Sequence, residues 1–108
     1  ARAEWQARCG EAGTLVQADL TDHAATTNAI QAIIDARGAP SVLVNCAGIT
    51  QDAMFRKMRF EQWDQVIRTN LIALFSATQP IFSAMCEAGA GVVISIGSVN
   101  GERGQVGQ

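Results

Sequence analysis

A parallel α/β sheet wrapped by helices is the fold class that this 108-residue sequence predicts. Three observations carry the prediction. Three short apolar runs, Thr14 to Ala18, Ser41 to Val44 and Gly91 to Ile96, are rich in Val, Ile or Leu and lack polar alternation, as strands covered on both faces do. Stretches of helical periodicity separate them. The resulting order (helix, strand, helix, strand, helix, strand) requires βαβ crossovers, and those bring strands together in parallel.

Residues 1–12 (ARAEWQARCGEA) read as the end of a helix, with Gly13 as its stop. The first strand follows. Thr21 or Asp22 can cap a second helix whose Ile30, Ile33 and Ile34 face inward, with Gly38 and Pro40 ending it. After the second strand, a long helix is expected from about Glu61 to Cys86. Its inward stripe is Trp63, Val66, Ile67, Leu71, Leu74, Phe75 and Thr78, spaced as a packed helix face requires. Pro80 should kink it, since an interior proline costs roughly 3 kcal/mol. Trp63 belongs to the expected core, and Phe75, Phe82 and Met85 to the core or a subunit interface. No repeat, linker or low-complexity tract divides the chain, so residues 1–108 read as one domain portion.

Composition narrows the function classes. Apolar residues make up 48% of the chain, enough for a core, and the net charge of −2 favours neither nucleic acid nor an anionic membrane. The longest apolar run, Val92 to Ile96 with one serine, falls far short of the ~20 residues needed to span a bilayer. Cys9, Cys46 and Cys86 are odd in number and lack metal-site spacing, which predicts reduced thiols in a cytoplasmic protein and no metal centre. The chain opens without Met inside a helix-like pattern and ends in Gly104-Gln105-Val106-Gly107-Gln108, which closes no element. It reads as an internal piece of a longer protein.

In parallel sheets, ligands bind at the carboxyl ends of the strands. All three predicted strands end in a short polar residue followed by small ones: Asp19, then Leu20-Thr21; Asn45, then Cys46-Ala47-Gly48; Ser98, then Val99-Asn100-Gly101. Short polar groups can fix a ligand, while Ala and Gly let backbone approach it. Asn45 to Gly48 therefore reads as a ledge beside a bound cofactor. Asn70 is a further candidate, because it falls on the apolar stripe between Ile67 and Leu71. A buried amide costs roughly 1–3 kcal/mol unless hydrogen-bonded. It either satisfies backbone groups at a local helix irregularity or serves a site.

Asn45-Cys46-Ala47-Gly48, Asn70 and Ile94-Ser95-Ile96-Gly97-Ser98, in this order and spacing, resemble the short-chain dehydrogenase/reductase superfamily. The strings NCAGITQDAMFRKM, EQWDQVIRTNL and SVNGERGQVGQ resemble the acetoacetyl-CoA reductases of polyhydroxyalkanoate synthesis, and next the 3-oxoacyl-[acyl-carrier-protein] reductases of fatty acid synthesis. The resemblance implies a Rossmann-like, doubly wound α/β sheet and an NADPH-dependent oxidoreductase. Asp19 and Leu20 would border the adenine, and Asn45, Cys46, Ala47 and Gly48 the ribose and nicotinamide half. Ser98 would donate to the substrate carbonyl, and Asn70 would hold a water in a proton relay. Asp52, Gln105, Val106 and Gln108 would border an acyl thioester of coenzyme A or acyl carrier protein. The long helix would build a homo-oligomer contact.

Several positions depart from the family pattern. Its Gly-rich phosphate loop would precede residue 1, and its Tyr-x-x-x-Lys would begin about three positions past Gln108. The chain contains no tyrosine, so the 108 residues alone are expected to be inactive. Cys46 replaces the second Asn of the NNAG motif, and Arg59 stands where a capping Thr is usual. Other readings stay open: an NAD-dependent alcohol or sugar dehydrogenase, a non-catalytic truncated piece, or a receiver with Asp19 as phospho-acceptor. Ser98 could be a plain turn former. Arg56, Lys57 and Arg59 could meet coenzyme A phosphates or lie on a solvated loop, and His23 reads as surface.

Overall fold

A computed structural model describes residues 2–10 and 13–108, with the backbone alone at positions 2, 6 and 9. The Cys9 thiol and positions 1, 11 and 12 of the predicted first helix lie outside the described residues. Helix α1 spans Arg2–Cys9. Gly10, at φ 54°, follows it directly, so the helix stops earlier than the expected Gly13. Thr14 to Ala18 forms no strand, which corrects the expected three strands to two. The composition favours extended backbone, but a strand exists only through its ladder. No described segment pairs with this one.

Helix α2 spans His23–Arg37. Of the two candidate caps, Asp22 takes the role: its Oδ1 accepts the Ala25 N–H at 2.9 Å. Gly38, at φ 79°, closes the other end by donating its N–H to the Ile34 carbonyl at 2.7 Å. Strands β1 (Val42–Asn45) and β2 (Val92–Ser95) pair in parallel, with Val42 opposite Val92 and Asn45 opposite Ser95. The connection between them is the long helix.

That helix has three parts: α3 (Phe60–Ile67), a π-turn over Arg68–Ile72, and α4 (Ala73–Ala88). Arg59 precedes it and has no acceptor atom with which to cap it. Gln62 supplies the reciprocal half of a capping box, its Oε1 accepting the Arg59 N–H at 3.2 Å. Helical conformation continues across Pro80 to Ala88. The departure from α geometry falls at the π-turn, not at the proline. An i→i+5 turn inserts one extra residue and rotates everything beyond it by about 100°.

The predicted stripe is corrected accordingly. Leu71 and Phe75 are 60% and 59% exposed, and Ala73, Ser76, Ile81 and Met85 are buried instead. Trp63, expected in the core, is 52% exposed. Helix α4 packs on α2 and β1 through this rotated face. Thr26 and Ser76 are fully buried there, with Thr26 Oγ1 donating to the Asp19 carbonyl at 3.2 Å and Ser76 Oγ to the Ile72 carbonyl at 3.1 Å. Ile30, Ile33 and Ile34 are half-buried. Phe60–Ala88 is long and apolar enough, by length and composition, to cross a membrane. Its face against α2 and β1 buries Ala73, Ser76, Ile81 and Met85, while Leu71, Phe75 and Phe82 remain exposed.

Candidate active site

Because Asn45 pairs with Ser95, both strands end on the same edge of the sheet. Residues 46–50 and 96–98 leave from that edge and line a cleft of about 760 Å³, closed on one side by Asn70 and Leu74. Asn45 braces the cleft. Its Nδ2 donates to Thr78 Oγ1 at 3.0 Å and to Ser95 Oγ at 3.5 Å, tying β1 to α4 and to β2. Beyond it, Cys46, Ala47 and Gly48 present no side chain larger than a thiol, and Cys46 is a free, exposed cysteine, as is Cys86.

The π-turn places Asn70 across from this ledge. Its Oδ1 accepts the Ile49 N–H at 2.8 Å and its Nδ2 donates to the Ile49 carbonyl at 2.9 Å. Both amide ends therefore clamp one residue of the loop after β1. Gly48 lies against the clamp: a Cβ there would come within 3.6 Å of Asn70 Oδ1. The polar residue on an apolar stripe thus satisfies backbone groups at a helix irregularity.

Beside the cleft lies a pocket of about 300 Å³ lined by residues that include Asp52, Asn70, Ser98, Asn100 and Gln108. Ser98 Oγ accepts the Asn100 N–H at 3.2 Å, which leaves the hydroxyl proton free to donate. Gln108 Nε2 donates to Asp52 Oδ2 at 3.1 Å, and its Oε1 accepts from Asn100 Nδ2 at 2.7 Å. The Ala53 N–H donates to the Gly107 carbonyl at 2.9 Å, holding these two loops together. Of the four residues expected to border the acyl group, Asp52 and Gln108 line this pocket. Gln105 and Val106 stay outside it: Val106 is 84% exposed, and the Gln105 carbonyl accepts the Gln108 N–H at 3.0 Å.

Asp19 sits in the turn before α2. Its Oδ1 accepts from Thr21 Oγ1 at 2.7 Å and from the Thr21 N–H at 2.9 Å, and these bonds hold its carboxyl below the ordinary range. Leu20, next to it, joins Cys46, Ala47, Ala73 and Ala77 around a further pocket of about 250 Å³. His23 is exposed in part, its Nδ1 2.9 Å from Ser76 Oγ and its ring stacked on Phe75 with centroids 6.2 Å apart. Arg56, Lys57 and Arg59 are exposed on and beside a 3₁₀ turn, Phe55–Lys57.

Sequence reasoning missed Asn100, Met58 and Gln62 as pocket residues and placed Trp63 in the core. The available signal for Asn100 was a donor-bearing side chain two residues after Ser98, at the start of a short helix, α5 (Asn100–Arg103).

All 108 residues match the family described as short chain dehydrogenase. The chain belongs to the short-chain dehydrogenase family. Membership implies a Rossmann-like α/β fold, of which β1, β2 and their helices are part. Among relatives in the family, the acetoacetyl-CoA reductase of Acinetobacter sp. (strain RA3849) is 56% identical over 93 residues, 86% of this chain and 38% of that protein. The acetoacetyl-CoA reductase of Allochromatium vinosum is 40% identical over 111 residues, covering 100% of this chain and 45% of that protein. The 3-oxoacyl-[acyl-carrier-protein] reductase FabG of Vibrio harveyi is 34% identical over 99 residues, 92% and 41% of the two chains. The chain thus spans less than half the length of each of these relatives.

A nicotinamide cofactor suits this family, and the ledge fits one half of it. Small side chains at Cys46, Ala47 and Gly48 leave backbone accessible to a flat ring, at the sheet edge where the cleft opens.

Proposed function

We propose that these residues are the central portion of a single Rossmann domain, in a cytoplasmic, NADPH-dependent reductase of 3-oxoacyl thioesters. Its substrate is acetoacetyl-CoA, reduced at C3 to 3-hydroxybutyryl-CoA, or the corresponding thioester of acyl carrier protein. One observation carries the reading: Ser98 and Asn70 meet at one pocket on the carboxyl edge of the parallel sheet, with a small-residue ledge beside them. The names of the relatives favour the acyl thioester.

The cofactor supplies the hydride in this chemistry. Cys46, Ala47 and Gly48 would hold its nicotinamide half, and Asp19 and Leu20 the adenine. Ser98, its Oγ lone pair already engaged by the Asn100 N–H, aims its hydroxyl proton at the carbonyl oxygen where negative charge develops. The Asn70 oxygen accepts from Ile49 and one Nδ2 hydrogen is donated to Ile49, so a relay water at this residue would bind the second Nδ2 hydrogen. Asp52 and Gln108 wall the acyl side of the pocket. The exposed Leu71, Phe75 and Phe82 of the long helix offer the apolar surface for a homo-oligomer contact.

The test is Ser98→Ala in the full-length protein, assayed by NADPH oxidation with acetoacetyl-CoA. The kcat should fall roughly 10²–10³-fold, the scale for one lost oxyanion donor, while the Kd for NADPH stays unchanged. A near-normal kcat would make Ser98 a turn former and move the site elsewhere.

A further inference from the structure

Four residues from three separate stretches of chain form one directed hydrogen-bond system along the wall of the 300 Å³ pocket. Asp52 is its fixed end. A carboxylate only accepts, so Gln108 must turn its amide nitrogen toward Asp52 Oδ2, 3.1 Å away. The Gln108 oxygen then faces Asn100, which must answer with its Nδ2, at 2.7 Å. The direction of every bond follows from the one carboxylate. Asn100 also works through its backbone: its N–H donates to Ser98 Oγ at 3.2 Å.

We infer that Asn100 is a positioning residue for the acyl end of the substrate, acting through Gln108. This inference rests on the reductase reading above. A flipped Gln108 amide would set its oxygen against the Asp52 carboxylate, and Asn100 adds a second anchor, its Nδ2 holding the Gln108 oxygen at 2.7 Å. The second Nε2 hydrogen of Gln108 therefore stays a donor toward the pocket, suited to a thioester carbonyl oxygen. Ser98 is held by the Asn100 backbone, which every substitution except proline retains. The two functions of Asn100 therefore separate: its side chain anchors the Gln108 oxygen, and its backbone holds Ser98.

The separation gives the test. In the full-length protein, wild type is first assayed with acetoacetyl-CoA and NADPH; an inactive wild type overturns the reductase reading and this inference with it. Given an active wild type, Asn100→Asp keeps the side-chain shape but sets an acceptor against Gln108 Oε1. It should raise the KM for acetoacetyl-CoA roughly tenfold while kcat changes less than about threefold, the scale of one reversed hydrogen bond. In a Gln108→Ala background the same substitution should add nothing further to KM. Asn100→Ser, too short to reach Gln108, should reproduce the KM rise, and it carries the test where Asn100→Asp fails to fold. An unchanged KM in the folded variants overturns the inference. So does a KM rise of equal size with Gln108 absent, or a loss confined to kcat and melting temperature, the mark of a purely structural role.

Discussion

Asp19 holds its charge to a lower pH through a neighbour two residues along the chain. The Thr21 hydroxyl is the larger cause of its lowered pKa and the Thr21 N–H the second. A carboxyl whose folded pKa lies below its unfolded one contributes stability that is fully present above about pH 3.9 and is lost as pH falls through the folded value. Thr21→Ala should move the Asp19 titration up toward the ordinary range, read by carboxyl-carbon NMR. An unchanged midpoint would mean that the hydroxyl contributes nothing. Gly91 is constrained by packing. A Cβ there would lie 2.7 Å from Met85 Cβ and still closer to its Cγ and Sδ, and Met85 is buried. Because Met85 Cβ moves only with the helix, rotating the side chain gives no relief. Gly91→Ala should cost about 1–3 kcal/mol, the range for overpacking, visible as a lower denaturant midpoint. An unaltered midpoint would show that β2 shifts freely. At this scale Asp19, Asn70 and Ser98 were legible as polar residues set beside apolar runs. The Met85–Gly91 contact was not, because nothing local announces which glycine meets a helix.

The long helix is where local pattern and structure part. Its existence and length were legible from periodicity, and the lack of a side-chain cap from Arg59. The face it buries was not. Five residues in π geometry rotate α4 relative to α3, so the stripe read as continuous splits and Leu71 and Phe75 turn outward, while Trp63, in α3 before the turn, lines the 300 Å³ pocket. The same turn carries Asn70 to Ile49. Asn70→Ala would remove both bonds to Ile49 and free the loop after β1. Stability should fall by about 1 kcal/mol, the low end for two bonds at an exposed position. Exchange of the Ile49 amide should quicken, and kcat of the full-length protein should drop. An Ile49 amide that exchanges as in wild type would show that the clamp does not hold in solution.

Across the whole molecule, apolar surface remains open. Val42, Val44, Val92, Ile94 and Ile96 are exposed along the two-stranded sheet, and Leu71, Phe75 and Phe82 along the helix. Contiguous apolar surface of this kind, with the outer strand edges unpaired among the described residues, favours association. The 108-residue chain should therefore self-associate, with a scattering mass well above its 11.4 kDa. A compact monomer by sedimentation would contradict this. Sequence by itself determined what depends on near neighbours: the apolar runs that became β1 and β2, the Gly38 stop of α2, the ordered motifs that mark the family, and Asn45 at the end of β1. Tertiary structure alone decided what depends on distant partners. It left Thr14 to Ala18 without a ladder, rotated α4, and left Val106 outside the pocket. It also joined Asp52 to Gln108 across 56 residues of chain, with Asn100 between that pair and Ser98. Propensity and spacing act over a few residues, whereas pairing and pocket walls form only when remote segments meet, and a single chain read alone carries no record of which ones do.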